Sequence, residues 1–415
     1  MNVLTIPAGG VADASSPEAR AVCLNRLTLT DFRNYPGFRL ETGRGHVVLT
    51  GPNGAGKTNL LEAISLLAPG RGLRGAPFED LARIDGGAAW AVAGEIEGPY
   101  GKTALGTAWT KDDVTGGAGA RQVQIAGEAQ RSSGAFSAYL RILWVTPAMD
   151  RLFAGPAGDR RRFLDRLVIA FDPEHGGRVI AFDKLMRERN RLICDAAPDR
   201  TWLSGLEHGL AEVGVAIAAA RVAALDALQE FIGEMPAARS RSAFPWARLE
   251  IDGEFEAEVR RKPAVQVEDE YRRLLGDSRQ ADRAAGRCLN GPHRSDLVVV
   301  HGPKAADARI CSTGEQKALL IGLVLAHARA VRAACDGWAP IMLLDEIAAH
   351  LDEERRIGLF GELKELGVQA WMTGTDARLF EPLDGRAQFF GIGDGLVAPG
   401  FAPVRPYSAL DGRTS

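Results

Sequence analysis

The sequence predicts an α/β protein: a β/α domain assembled from both ends of the chain, with a helical block inserted in its middle. Three observations carry this expectation. A glycine-rich loop, Gly51-Pro52-Asn53-Gly54-Ala55-Gly56-Lys57-Thr58, follows a short apolar run and precedes an amphipathic stretch. A second apolar run, Ile341-Met342-Leu343-Leu344, ends in Asp345-Glu346 near the far end of the 415-residue chain. Between them the pattern turns helical at Gly155-Pro156 and strand-like again after Gly291-Pro292.

Element by element, period-2 alternation over 23–29 and 38–41 and the apolar run 46–50 predict three strands. Leu60, Leu61, Ile64 and Leu67 share one helical face. Alternation near 88–97 and 103–110 predicts further antiparallel strands, and Tyr139–Val145 another. Helical periods then cover 157–171, 174–196 and 202–233, the last with Leu203, Leu206, Leu210, Val213 and Ile217 in register. A Glu-rich piece (Glu254, Glu256, Glu258) closes the block. The tail of the pattern is strand at Leu297–Val300, helix at 315–334, strand at Ile341–Leu344, helix at 352–365 and strand at Gln369–Met372. The expected division is an outer domain at 21–150 and 285–403, an insertion at 151–284, and loose tails at 1–20 and 404–415.

Composition excludes several classes. With 46% hydrophobic and 25% charged residues, the chain has the balance of a globular protein with a sizeable core, which a disordered, collagen-like or disulfide-stapled chain lacks. No run approaches the roughly 20 apolar residues of a membrane helix, and the first cation is Arg20. A cytoplasmic location without a membrane partner is therefore expected. The five cysteines include no C-x-x-C pair, so reduced thiols are expected rather than a zinc site.

A net charge of −3 makes no overall case for nucleic acid. Its distribution does more: over Arg151–Arg191 basic residues outnumber acidic ones, with Arg160, Arg161 and Arg162 adjacent and Lys184, Arg187 and Arg191 at helical spacing. Such a face suits sequence-independent phosphate contacts. A solvated face with internal salt bridges, Glu188 among them, accounts for it equally well.

The glycine loop fits G-x-x-x-x-G-K-[ST] at every fixed position and sits between a strand and a helix, the context the motif needs. Its glycines let backbone N–H groups turn toward phosphates, and the helix N-terminus adds positive partial charge. Lys57 would reach the β- and γ-phosphates and Thr58 would hold Mg²⁺, which implies a nucleoside triphosphate such as ATP. Asp345, delivered by a buried strand, would complete the metal shell, and Glu346 would orient or deprotonate water. Lys57 and Asp345 stand much further apart in the chain than a compact single-domain nucleotidase needs, in agreement with an insertion.

Ser312-Thr313-Gly314-Glu315-Gln316 opens a predicted helix and forms a second candidate anion site. The order of glycine loop, this segment, Leu-Leu-Asp-Glu and Ala349-His350-Leu351-Asp352 resembles an ABC-type ATPase head. Together with Leu29-Thr30-Asp31-Phe32-Arg33-Asn34-Tyr35, the run Arg160–Asp165 after Gly155-Pro156, Gly291–Leu297, and Thr373-Gly374-Thr375-Asp376, the chain resembles the RecF family of bacterial recombination mediators. The resemblance implies an ABC-type P-loop head with an antiparallel β subdomain, plus an inserted α-helical lid. It implies ATP-dependent homodimerisation, in which Ser312, Gly314 and Gln316 of one protomer close on the other's ATP and Asp352 serves as the D-loop aspartate. Thr375 stands nearest the place of the switch histidine of ABC heads. Arg33 and Asn34 would touch the nucleotide base or ribose. Slow ATP hydrolysis, binding of single- and double-stranded DNA, and work with RecR, RecO and RecA are implied as well. An SMC-like head and a non-enzymatic DNA scaffold stay open as alternatives.

Overall fold

The computed structural model describes residues 20–111, 119–195, 199–233, 242–393 and 396–399. The tails expected at 1–20 and 404–415 lie, apart from Arg20, outside the described residues. The chain divides into two compact units, one from the residues up to Pro147 and from Trp338 onward, the other from Ala148–Gly337. The first begins with β1 (Cys23–Phe32), β2 (Tyr35–Glu41), β3 (His46–Thr50), α1 (Lys57–Ser65), β4 (Ala89–Gly98), β5 (Gly101–Thr110), β6 (Ala120–Ile125), β7 (Glu128–Ala129) and β8 (Ile142–Val145). The second follows with α2 (Ala157–Phe171), α3 (His175–Cys194), α4 (Arg200–Gly233), β9 (Ala247–Asp252), α5 (Glu254–Arg261), α6 (Ala264–Asp277), α7 (Arg279–Ala285), β10 (Asp296–His301), β11 (Ala306–Asp307) and α8 (Thr313–Ala334). The chain then completes the first unit with β12 (Ile341–Leu344), α9 (Glu353–Leu366), β13 (Ala370–Gly374), β14 (Ala387–Gly393) and β15 (Leu396–Pro399).

Two sheets build the first unit. One is antiparallel in the order β2-β1-β4-β5-β6-β7, and its alternating sequences bury Leu27, Leu29, Val92 and Leu105 on one face. The other runs β15-β14-β3-β13-β12-β8, parallel from β14 to β8. Its strands β8, β12 and β13 are buried at every residue, as expected of unbroken apolar runs covered on both faces.

Gln369, fully buried, links the two sheets. Its side-chain carbonyl accepts from the Leu24 N–H at 2.8 Å and from the Trp371 indole at 3.0 Å, and its amide donates to Gly43 O at 2.8 Å. Arg121, on β6, donates to the carbonyls of Leu66 and Gly70 beyond the C-terminus of α1, where a cation complements the helix dipole. Burial pushes its pKa down to about 10.

In the second unit α4 packs against α2, α3, α5, α6 and α8. Buried charge pairs pin these helices. Arg189 donates to Glu207 at 3.0 Å and Asp282 at 2.7 Å, while Arg221 donates to Asp165 at 2.9 Å and Glu256 at 3.1 Å. The expected boundary at 284 is corrected here, because β9 pairs with β10 residue by residue from Ala247↔His301 to Asp252↔Asp296. That ladder ties the segment after 285 to the insertion, and α8 packs on α4, α2 and β9. The signature segment therefore belongs to the second unit. Strands β6, β7, β9, β11, β14 and β15 and helices α6 and α7 have no counterpart among the expected elements, and the Glu-rich piece expected to close the helical block is α5.

Replacing Gln369 by Leu leaves the Leu24 N–H and the Trp371 indole N–H buried without an acceptor. Each such group costs about 1–3 kcal/mol, so urea denaturation should show a loss of about 2–6 kcal/mol. An unchanged unfolding midpoint would mean the sheets are held together by packing alone.

Candidate functional site

The glycine loop leaves the end of β3 with Gly51, Gly54 and Gly56 at positive φ (150°, 82° and 103°). The side-chain-free approach is required: a Cβ on Gly51 would collide with the Ile392 carbonyl, and one on Gly56 would lie 2.6 Å from the Asn34 amide and Tyr35 hydroxyl. Lys57, 5% exposed, donates through Nζ to the Gly51 and Pro52 carbonyls at 2.7 and 2.8 Å. Burial lowers its pKa, and the nearby Glu346 and Asp345 carboxylates oppose that shift. Pro52, Asn53 and Ala55 complete the loop, with Asn53 exposed at its tip.

Asp345 follows β12 and is nearly buried. The Thr58 hydroxyl donates to its two carboxylate oxygens at 2.9 and 3.1 Å, and the Thr373 hydroxyl donates to Oδ1 at 2.7 Å. Thr373 Oγ1 in turn accepts the Glu346 N–H at 2.8 Å. Glu346 has a left-handed backbone (φ 49°), and its carboxylate makes no ion pair among the described residues. Sequence reasoning missed Thr373, although the Thr-Gly-Thr-Asp segment was in view. The threonine that reaches Asp345 is Thr373, because β13 lies between β3 and β12 in the sheet. Thr375 is exposed past the strand end, and Asp352 is exposed at the N-cap of α9, accepting the Arg355 N–H at 2.8 Å.

Arg33 and Asn34 form the two-residue turn between the paired Phe32 and Tyr35. The Arg33 guanidinium, expected at the nucleotide base or ribose, grips Glu62 of α1 at 2.9 and 2.8 Å and the Asp80 carbonyl at 2.8 Å. Arg74 also donates to Glu62, at 2.7 Å. Glu62 is fully buried, so the two arginines supply the charge its burial demands. Asn34 accepts from Asn59 at 2.8 Å and faces the Ala55 carbonyl at 3.5 Å, bracing the loop from beneath. Sequence alone gave no signal for Glu62, Asn59 or Arg74.

In the second unit Ser312 caps α8 in a reciprocal box, accepting the Glu315 N–H at 3.4 Å while its own N–H donates to the Glu315 carboxylate at 3.1 Å. Ser312 and Gly314 are exposed. Gln316 is buried instead and donates to the Cys311 carbonyl at 2.8 Å, so it braces the turn. Lys317 pairs with Asp150 at 3.3 Å.

The basic segment splits. Arg160 is 6% exposed and forms a bidentate pair with Asp296 at 2.8 and 2.6 Å, so it is corrected from a candidate DNA contact to a structural ion pair. Arg161 is half-buried and donates to the Ser295 carbonyl at 2.8 Å, and exposed Arg162 pairs with Asp159. Lys184, Arg187 and Arg191 are all exposed on α3.

A glycine loop between a buried parallel strand and a helix, a strand-borne carboxylate on the loop threonine, and an antiparallel sheet beside them define a P-loop ATPase head of the ABC type. The family model described as RecF/RecN/SMC N terminal domain matches residues 23–392. A DNA replication and repair protein RecF of Mesorhizobium japonicum is 53% identical over 91% of this chain and 97% of its own length. One of Brucella suis is 52% identical over 91% and 96%. The solved structure of the recombination mediator protein RecF with ATP, in the RecFOR pathway, superposes with a TM-score of 0.78 at 21% identity, covering 92% of this chain and 98% of that one. This chain belongs to the RecF family. Among the described residues no helix is long and apolar enough to cross a membrane.

The capping box makes a pH prediction. The Lys304 ammonium, then the Ser312 N–H, pull the Glu315 pKa down to about 2. A depressed carboxylate contributes stability that is present above the ordinary value and lost as pH falls toward 2. Carboxyl-detected NMR should find Glu315 titrating near 2, and Lys304→Ala should move the midpoint upward. A wild-type midpoint at the ordinary glutamate value would mean the box does not form in solution.

Proposed function

We propose that this protein is an ATP-binding mediator of DNA recombination and repair. In this reading it dimerises on ATP at gapped or single-strand/double-strand junction DNA, hydrolyses ATP slowly, and helps load RecA together with RecR and RecO. One observation carries the nucleotide part: the Thr58 hydroxyl against the Asp345 carboxylate at 2.9 Å, beside the buried ammonium of Lys57. The names of the close relatives support the DNA part.

Thr58 and Asp345 are hard oxygen donors and fit Mg²⁺. When bound, the metal supplies charge neutralisation at the β- and γ-phosphates. Lys57 exchanges its two carbonyl partners for phosphate oxygens, and the N–H groups of Gly54 through Thr58 line the same cradle. Thr373 holds Asp345 in place and keeps the Glu346 backbone fixed. The Glu346 carboxylate, free of ion pairs among the described residues, takes a proton from the attacking water. Ser312 and Gly314, exposed at the start of α8, act in trans on a partner's nucleotide, with Asp352 at the same interface and Thr375 on the γ-phosphate side. Gln316 supports the Ser312 turn.

Lys57→Ala should abolish ATP binding in a folded protein, and Glu346→Gln should keep binding while turnover falls about 10²–10³-fold. Filter binding and phosphate release check both. Retained ATP affinity in Lys57→Ala would sink the loop assignment, and wild-type turnover in Glu346→Gln would remove the base.

Ser312→Arg should bind ATP as a monomer yet fail to dimerise in sedimentation with ATP and Mg²⁺. Gapped-DNA binding should fall in parallel. Replacing Lys184, Arg187 and Arg191 together by Ala should weaken DNA binding and lower the log–log salt slope by about 0.9 per lost phosphate contact. An unchanged slope in a gel-shift series would exclude this face of α3 from the DNA interface.

A further inference from the structure

Tyr35, the first residue of β2, is fully buried, and its hydroxyl makes no hydrogen bond among the described residues. Other buried ring donors in the chain are satisfied. The Trp90 indole donates to the Phe78 carbonyl at 2.7 Å, the Trp371 indole to Gln369 at 3.0 Å, and the Tyr271 hydroxyl to the Asn290 carbonyl at 2.9 Å. At position 35 a phenylalanine would fill the same space without stranding a polar group. The ring is held in place: Phe38 packs edge-on against it at 5.0 Å, and Tyr35 pairs with Phe32 across the hairpin. Burial pushes its pKa well above the ordinary tyrosine value, so the group stays an O–H.

The hydroxyl is aimed at the underside of the glycine loop. A Cβ on Gly56 would lie 2.6 Å from it, and the same point is 2.6 Å from the Asn34 amide nitrogen. Several loop carbonyls are already well served. Those of Gly51 and Pro52 accept from Lys57 at 2.7 and 2.8 Å, and that of Gly56 accepts the Leu60 N–H at 3.2 Å. The Ala55 carbonyl faces the Asn34 amide at 3.5 Å, long for such a bond. Asn34 is tethered on its other side, where its carbonyl accepts from Asn59 at 2.8 Å.

The Ala55 carbonyl and the Gly56 N–H belong to one planar trans peptide and point in opposite directions. Turning that N–H toward a phosphate therefore turns the carbonyl down toward Asn34 and Tyr35. We propose that Tyr35 is a positioning residue for the nucleotide loop: its hydroxyl donates to the Ala55 carbonyl when the loop closes on the phosphates of ATP, and so holds the Gly56 N–H on the phosphate side. This role rests on the nucleotide reading of the same loop. It accounts for a tyrosine where the loop as it stands has no use for the hydroxyl. A hydrogen bond received at the carbonyl also polarises the peptide and strengthens its N–H as a donor.

Isothermal titration of the full chain with ATP and Mg²⁺, alongside thermal melting without nucleotide, tests this on Tyr35→Phe. The variant keeps the ring and its packing, and circular dichroism checks the fold. Without nucleotide it should melt at or above the wild-type temperature, since it buries no unpaired hydroxyl. Its ATP affinity should fall about three- to tenfold, the share of one hydrogen bond. Unchanged affinity beside a wild type that binds ATP would overturn the role of Tyr35 and leave the nucleotide site standing. A lower melting temperature without nucleotide would overturn it too, because the hydroxyl would then be bonded before ATP arrives. A wild type that takes up no ATP would refute the nucleotide reading itself, and the role of Tyr35 with it.

Discussion

The Asp345 carboxylate, nearly buried, is the group around which the first unit is organised. A carboxylate at that depth needs donors, and it obtains them from two directions, the Thr58 hydroxyl of α1 and the Thr373 hydroxyl of β13. Its own N–H continues the ladder to Val145 on β8. Hydrogen bonds to charged groups contribute about 1.5–3 kcal/mol each, so one residue, through its carboxylate and its N–H, ties the glycine loop, three parallel strands and, by way of Thr373, the Glu346 backbone into one arrangement. Any shift in the order of those strands would leave the carboxylate short of a partner.

The same logic recurs wherever the molecule buries charge. Glu62 sits fully buried under the glycine loop because Arg33 and Arg74 converge on it. In the second unit Arg189 and Arg221 each gather two carboxylates from helices far apart in sequence. Removing one member of such a set strands a buried charge, which costs more than the intact set contributes over an apolar core. These clusters specify which helix lies against which, a task that the small, alanine-rich faces of α4 leave underdetermined. They also explain why Arg160 serves as a strut for Asp296 and is withdrawn from the surface, whereas Lys184, Arg187 and Arg191 remain exposed.

The parallel sheet separates two kinds of surface. Its C-terminal strand ends carry the glycine loop, Asp345 and Thr373, with glycines that let backbone approach phosphate. At its N-terminal ends His46, Leu363 and Leu383 are buried and the cations Lys364 and Arg386 are exposed. The hairpin turn of Arg33 and Asn34 shows how the antiparallel sheet contributes to the first surface: the turn reaches under the loop and fixes it, without itself presenting a free cation.

The sequence by itself determined the local chemistry. The glycine loop, the strand ending in Asp345-Glu346, the capping serine at 312 and the helical texture of the insertion are all encoded within a few consecutive residues, since turn geometry, strand burial and capping depend on near neighbours. The resemblance to the RecF family was legible for the same reason, because its motifs are short and ordered along the chain. What only the tertiary structure decided was pairing across distance. That β13 lies between β3 and β12, making Thr373 the residue at Asp345, is a matter of strand order, which no local pattern carries. That Arg33 serves Glu62, that Arg160 serves Asp296, and that 285–337 folds with the insertion through the β9–β10 ladder are likewise set by contacts between distant segments. A cation looks the same in sequence whether a buried carboxylate awaits it or not; only the fold supplies the partner.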